Sequence, residues 1–373
     1  MPDPNAQTPP QAVPLAGTPP RAAPRPGSPP RHHRQALLPQ VGEAGQARLA
    51  GCRVLVVGVG ALGGTLAEQL LRAGVGSLTL LDRDVVEETN LQRQVLFAEA
   101  DVGRPKALAA VERLTRIDGH AALTPLARDL DAHNAEAILR DARPHLILDG
   151  TDNAQTRYLI NDLAVKHQLP WVYGGCVGTE GRVAAFRPGG CCLRCLFPTP
   201  PAPGELATCD TAGVLGPAAG VVACLQAVEA LKLLLDDTSA ASTLQRLDLW
   251  TSRWHGLSLV EARRPDCPCC GRGEYAFLND PTPTDRTLCG RDAVQVRLRG
   301  TPDLAALAAR LQAAGLASTT MNGVTDSGPQ LVQVRPADGG SVRLSVFADG
   351  RVIVHGTSRA AEARGWVDRL IGN

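Results

Sequence analysis

The chain reads as α/β: a Rossmann-like doubly wound sheet with cysteine knuckles, followed by a small C-terminal α+β domain. Three observations carry that reading. Val54–Val57 is a run of branched apolar residues that feeds straight into Gly58, Gly60 and Gly63, the G-x-G-x-x-G turn between a buried parallel strand and a helix. Cys192, Cys195, Cys267 and Cys270 make two C-x-x-C pairs far apart in the chain. After about residue 283 the pattern changes to short strands framed by two helices.

Composition narrows the classes. At 373 residues the chain is long enough for one large domain and a smaller one. A formal charge of +1 gives no electrostatic case for nucleic acid or an anionic membrane. Eleven cysteines are too sparse and too unevenly grouped for a disulfide scaffold, and no charged start with apolar core and cleavage site opens the chain, so a cytoplasmic protein is expected. Residues 1–30 hold eleven of the 29 prolines, the composition of a disordered tail with polyproline character. The most apolar run, Ala218–Leu235, contains Gln226, Glu229 and Lys232 and reads as a mostly buried helix rather than a membrane span.

Residues 31–275 are expected to form the nucleotide-binding domain. The glycines at 58, 60 and 63 let backbone N–H groups at a helix N-terminus approach a phosphate, and Arg72 and Gly74 close that first helix. Leu78–Leu81 is a second buried strand ending at Asp82, an acid placed to accept hydrogen bonds from a ribose. Such a turn also serves dehydrogenases and flavoproteins, so an NAD(P)-dependent oxidoreductase stays open at this point. Lys106 weighs against it. The chain has 35 arginines and only three lysines, and this one follows Pro105 in the first turn of a helix over 107–116, where a cation opposes the macrodipole unless an anion is bound.

Leu146–Asp149 is a third buried strand that runs into Asp152 and Asn153, which either face a ligand at the strand's carboxyl end or cap the helix from 154. Trp171–Val177 is a strand whose Gly174 and Gly175 mark close approach of another backbone, and 182–187 pairs with it. Four thiolates at 192, 195, 267 and 270 suit a closed tetrahedral zinc site, with Cys191 and Cys269 leaving a mixed ligand set or a redox dithiol as alternatives. Cys209 follows a proline-rich loop at a helix entrance, where a thiolate is favoured; Cys52, Cys176 and Cys224 sit in apolar stretches and read as core. In the C-terminal domain, 283–373, the strands are AVQVRL, LVQVRP, VRLSVF and RVIVHG, with helices over 302–314 and 358–371; Cys289 reads as a buried or loop thiol, and docking of a carrier or partner is the expected role.

LDRDVVEETNLQRQ followed by VGRPKA resembles the ThiF/MoeB/HesA family of ubiquitin-activating-like adenylyltransferases, in which D-x-D, N-L-x-R-Q and G-x-x-K recur in this order. The resemblance covers about residues 31–272. It implies ATP as the nucleotide and adenylation of the C-terminal glycine of a small ubiquitin-like sulfur-carrier protein, which a separate sulfur donor then converts to a thiocarboxylate. Gly58, Gly60, Gly63, Asp82, Asn90, Arg93 and Lys106 would bind ATP. Arg93 can grip two phosphate oxygens in a fork while Lys106 acts as a point charge. Ala61 departs from the family loop, where glycine is commoner, and implies a modest effect on ATP affinity. Asp152 would hold magnesium, the zinc knuckles match in position, and the carrier's Gly-Gly tail would run past Gly174 and Gly175. Arg34, in the arm Arg31-His-His-Arg34-Gln35, would enter the phosphate site of the partner in a homodimer. Cys209 matches the thiol that links covalently to the carrier in some members. A non-catalytic subunit of a heterodimeric activating enzyme would be expected to have lost phosphate residues that this chain keeps.

Overall fold

The computed structural model describes residues 30–201, 209–279, 286–287, 292–322, 328–336 and 340–372; the proline-rich stretch to residue 29 and Cys289 lie outside them. Short helices α1 (His33–Ala36) and α2 (Gly42–Ala50) lead into β1 (Arg53–Val57), and α3 (Ala61–Arg72) returns the chain to β2 (Ser77–Leu81). Next come α4 (Lys106–Ile117), β3 (Ala122–Leu126), α5 (Ala135–Ala142), β4 (Leu146–Asp149), α6 (Ala154–Lys166) and β5 (Trp171–Val177). From β6 (Glu180–Phe186) onward the direction alternates: α7 (Leu193–Leu196), α8 (Cys209–Ala212) and α9 (Gly216–Leu234) precede the hairpin β7 (Thr243–Asp248) and β8 (Arg253–Ser258).

The eight strands lie in the order β3-β2-β1-β4-β5-β6-β7-β8, with β1 to β5 parallel and β6 to β8 antiparallel. Strands β1, β2 and β4 are buried almost end to end because helices cover both faces, which is why they read as unbroken apolar runs. The chain steps from β1 outward to β2 and β3, then returns to place β4 on the other side of β1. That reversal opens a crevice at the carboxyl ends of β1 and β4, where open α/β sheets bind ligands.

α9 is long and apolar enough to cross a membrane by length and composition, but it packs against α3, β5 and β6. Its outer face stays open, and this corrects one expectation: Cys224 is exposed there, near the half-exposed Val228, whereas Cys52 and Cys176 are buried. An apolar stretch all round a helix does not say which side the sheet will cover.

A second sheet follows the short α10 (Ala276–Asn279). Its strands are β9 (Arg286–Thr287), β10 (Ala293–Arg297), β11 (Ala317–Asn322), β12 (Pro329–Arg335), β13 (Arg343–Phe347) and β14 (Arg351–His355), in the antiparallel order β11-β12-β13-β14-β10-β9. α11 (Leu304–Ala313) and α12 (Ala360–Leu370) cover one face, where Val294, Val332, Leu344 and Val354 meet Leu307, Leu311 and Val367. Asp303 caps α11 by accepting from the N–H groups of Ala305 and Ala306.

At the crevice, three backbones touch. Gly58 has φ +83°, and a Cβ at Gly63 would stand 1.8 Å from the Gly58 carbonyl oxygen, while one at Gly150 would stand 2.5 Å from it. Gly60, the N-cap of α3, would place a Cβ no nearer than 3.5 Å to the Gln94 side chain. Gly63→Ala is therefore expected to cost roughly 1–3 kcal/mol or more in urea unfolding, whereas Gly60→Ala should stay within about 1 kcal/mol of the parent. Equal losses would contradict the packing role given to Gly63 alone.

Candidate functional site

The site grows from the ends of β1, β2 and β4. Gly58 donates its N–H to the Leu81 carbonyl at 2.7 Å and so ties the glycine turn to the end of β2. Asp82 continues that tie. One of its carboxylate oxygens accepts from Val59 N–H at 2.7 Å and the other from Asp84 N–H at 2.7 Å. Burial pushes the Asp82 carboxyl above its ordinary value, while Lys106 pulls it down. A carboxylate has more acceptor sites than these two bonds use, so Asp82 retains capacity for a ribose hydroxyl.

Lys106 opens α4 and is 3% exposed. Its ammonium meets Asp84 Oδ2 at 3.2 Å, and its backbone N–H donates to the Asp84 carbonyl at 2.9 Å. The anion that a cation at a helix N-terminus requires is thus supplied by the chain, through the second acid of D-x-D. One ammonium proton faces Asp84; two remain for a ligand.

The segment between these acids and Lys106 folds back on itself through Val86 and Gly103, each donating to or accepting from the other side of the loop. Asn90 is buried and its amide oxygen accepts from Glu87 N–H at 3.2 Å, so it shapes the turn. Arg93 is half-buried, donates to the Thr89 carbonyl at 2.9 Å, and lies beside Gly216 at the head of α9.

At the end of β4, Asp149 is fully buried: Thr151 N–H and Oγ donate to one oxygen, and Arg157 Nε donates to the other at 3.0 Å. Burial raises the Asp149 pKa and the Arg157 guanidinium opposes that rise. Arg157 also donates to the carbonyls of Thr151 and Gly174. The next acid, Asp152, is exposed, and among the described residues no hydrogen bond or ion pair engages its carboxylate. The capping alternative falls to Asn153, whose side chain accepts from Gln155 N–H at 2.9 Å.

Gly174 does mark close approach, but the visitor belongs to the same chain. A Cβ there would lie 2.2 Å from the Gln226 side chain, whose amide donates to the Asp149 carbonyl at 2.8 Å. Beyond β5, Gly178 pairs with the Gly213–Leu215 stretch, which brings α8, headed by Cys209, to the end of that strand.

Arg34 stands apart. Its helix α1 is anchored at the far end of α3, where Gln35 donates to the Ala73 carbonyl at 2.8 Å and His32 lies against Gly74. Twelve residues of α3 separate that point from Gly60, about 18 Å. Arg34 is exposed and does not reach the glycine turn of its own chain.

On the opposite side of α6, the Sγ atoms of Cys192, Cys195, Cys267 and Cys270 all lie within 4.8 Å of one another. Individual separations are 4.0 Å for 192–195, 3.7 Å for 192–267 and 3.4 Å for 195–270. Metal–sulfur bonds of about 2.3 Å in a tetrahedron put sulfurs about 3.8 Å apart, so the donor set fits such an ion. Among protein groups alone, hydrogen bonding from Cys192 together with burial pushes Cys195 up to about 12, and burial with the same crowding takes Cys270 to about 11. Four thiolates held this closely call for a cation. Cys269 stands outside the four and accepts from Asn161 Nδ2 at 3.4 Å, while Asn161 Oδ1 accepts from Leu193 N–H, so one buried amide joins both knuckles to α6.

Asp84, Arg157 and Gln226 are structural parts of the site to which sequence reasoning gave no role. The second acid of D-x-D and a lone amide inside an apolar helix were available signals; Arg157 offered none in so arginine-rich a chain.

Fold and site define a doubly wound α/β protein with a glycine turn at its switch point and a four-thiol centre. Residues 32–269 match the ThiF family, and the chain belongs to it. It is 40% identical over 347 residues, 91% of this chain and 99% of the relative, to the sulfur carrier protein ThiS adenylyltransferase of Bacillus subtilis. With the sulfur carrier protein adenylyltransferase of Thermus thermophilus it shares 44% identity over 64% of this chain and 90% of that one. With the SAMP-activating enzyme E1 of Haloferax volcanii it shares 39% over 67% and 91%. The crystal structure of Escherichia coli MccB with ATP has the same fold, with a TM-score of 0.53 and 22% identity over 61% of this chain and 68% of that one.

The thiol centre yields a direct test. Purified protein is expected to hold about one metal ion per chain by elemental analysis, and Cys195→Ser should release it and lower the melting temperature, because binding to a closed site is folding free energy. Metal-free protein with undiminished stability would refute the pairing.

Proposed function

We propose that this chain is an ATP-dependent adenylyltransferase acting on the C-terminal glycine of a small ubiquitin-like sulfur-carrier protein of the ThiS/MoaD type. The observation that carries the reading is the match to the Bacillus subtilis ThiS adenylyltransferase along nearly the whole of both chains. The glycine turn, the ribose acid and a buried lysine gathered at one switch point support it.

In this reading a carboxylate oxygen of the carrier attacks the α-phosphate, the bond to pyrophosphate breaks, and a carrier–AMP anhydride remains for a separate sulfur donor. Gly58, Gly60 and Gly63 let backbone N–H groups approach the phosphates. Lys106 and Arg93 offset the charge that develops as pyrophosphate leaves. Asp82 takes the ribose, and Asn90 holds the segment between them. Asp152 is the carboxylate free to hold magnesium, which would supply further positive charge at the phosphates. Cys209 is the candidate thiol for a covalent link to the carrier. Zinc suits the four-thiol centre, in a structural role, since four protein ligands leave no open position. The cytoplasm suits thiols kept reduced.

The anchoring of Arg34 away from its own glycine turn supports a homodimer in which it serves the second subunit's site. An oxidoreductase reading leaves Lys106 and the thiol centre without a task.

Lys106→Ala should lower carrier-dependent ATP–pyrophosphate exchange by about 100-fold or more. Because it strands the Asp84 charge, the double change Asp84→Asn with Lys106→Ala is the folded control. Near-normal exchange in either would contradict the assignment.

Arg34→Ala and Lys106→Ala homodimers should each be inactive, yet co-refolding them gives mixed dimers with one intact site. Random pairing makes roughly a quarter of all sites active, as twofold symmetry allows. Activity no higher than in the separate variants would exclude a shared site.

A further inference from the structure

The central strands β10, β13 and β14 of the second sheet are buried on both faces. Its helix-free face presents Ala293, Leu331, Phe347 and Ile353, and these pack on Val85, with Met321 at the margin. Val85 lies in the segment that joins Asp82 and Asp84 to Lys106.

Three residues, Arg351, Gln333 and Arg297, make polar contacts across the same junction. Arg351, at the start of β14, is 0% exposed and stacks over the Phe347 ring at 4.4 Å. Its Nε donates to Asp349 Oδ2 at 2.6 Å, and its two terminal nitrogens donate to the carbonyls of Arg83 at 3.0 Å and Ala127 at 2.7 Å. Gln333 donates to the Gly103 carbonyl at 3.1 Å. Arg297 meets Asp131 Oδ2 at 3.0 Å, beyond the end of β3 and outside the segment.

We propose that Arg351 is a positioning residue for the nucleotide site, holding the Arg83 carbonyl so that Asp84 keeps Lys106 aimed at the phosphates. This rests on the ATP-dependent reading above. The neighbours of Arg83 are the two acids: Asp82, which fixes the glycine turn through Val59, and Asp84, which pairs with Lys106. A guanidinium satisfies two carbonyls and a carboxylate at once because its donors are fixed in a fork, and Arg351 does so here fully buried. Gln333 grips the other end of the same segment at Gly103, three residues before Lys106. The C-terminal unit therefore clamps both ends of the loop that carries Asn90 and Arg93, and its helix-free face is turned toward its own chain.

The test compares full-length Arg351→Gln, Arg351→Lys, Gln333→Ala and Arg297→Ala by ATP-binding calorimetry and thermal melting, followed by KM and kcat for ATP in the exchange reaction. Arg351→Gln should weaken ATP binding and raise KM for ATP about tenfold, with Gln333→Ala in the same direction. Arg351→Lys should recover part of the loss, as one charge cannot bridge two carbonyls. Arg297→Ala, which loosens the same junction without touching the segment, should leave KM for ATP unchanged. Folded Arg351→Gln with unaltered ATP affinity would overturn the proposal, as would an equal rise in KM from Arg297→Ala. If Arg351→Gln fails to fold, Gln333→Ala with normal ATP affinity overturns it. Calorimetry needs no carrier, so normal ATP binding without exchange would sink the carrier reading and leave the positioning role standing, whereas parent protein that binds no ATP would remove both.

Discussion

A lysine ammonium 3% exposed at a helix N-terminus needs a counter-charge, and Asp84 at 3.2 Å supplies it. Burying the ammonium and half-burying its partner is expensive in desolvation, and an apolar pair of similar volume would often be at least as stable. Retaining the pair makes sense where the cation has a second use. The rest of the site is built to hold this pair still: Asp82 ties the glycine turn to Asp84, the loop closes on itself at Val86 and Gly103, and the C-terminal sheet grips both ends.

α6 gives the architecture its second axis. Its N-terminal turn carries Arg157, which binds Asp149 and the carbonyls of Thr151 and Gly174, while Asn161 further along joins the two cysteine knuckles. A metal at the thiol centre would stiffen the same helix that frames Asp152. The ion then needs no open coordination position to matter for the nucleotide site.

Strands covered on both faces were legible because burial leaves an unbroken apolar record, as in Val54–Val57, Leu78–Leu81 and Leu146–Leu148. The paired C-x-x-C spacing was equally readable, since four sulfurs must converge on one point. The hairpin of β7 and β8 escaped notice: β8 is an exposed edge strand whose sequence, RWHGLS, carries no alternating face. Gly174 was read as an opening for a foreign backbone, and only the fold reveals that Gln226 fills it. Cys224 failed for the opposite reason, because an apolar helix does not announce its exposed side. Arg351 and Gln333 were given no role by the sequence, because their use across the junction depends on two parts of the chain some 250 residues apart meeting at one face.

The most direct measurement follows an oxygen atom. A sulfur-carrier protein labelled with oxygen-18 in its terminal carboxylate is incubated with ATP and the enzyme, the activated carrier is captured with a sulfur nucleophile, and the released AMP is weighed by mass spectrometry. Attack of the carboxylate on the α-phosphate predicts one labelled oxygen in the AMP, with label retained in step with pyrophosphate release. Unlabelled AMP, or label in the β- or γ-phosphate fraction, would contradict adenylation of the carrier.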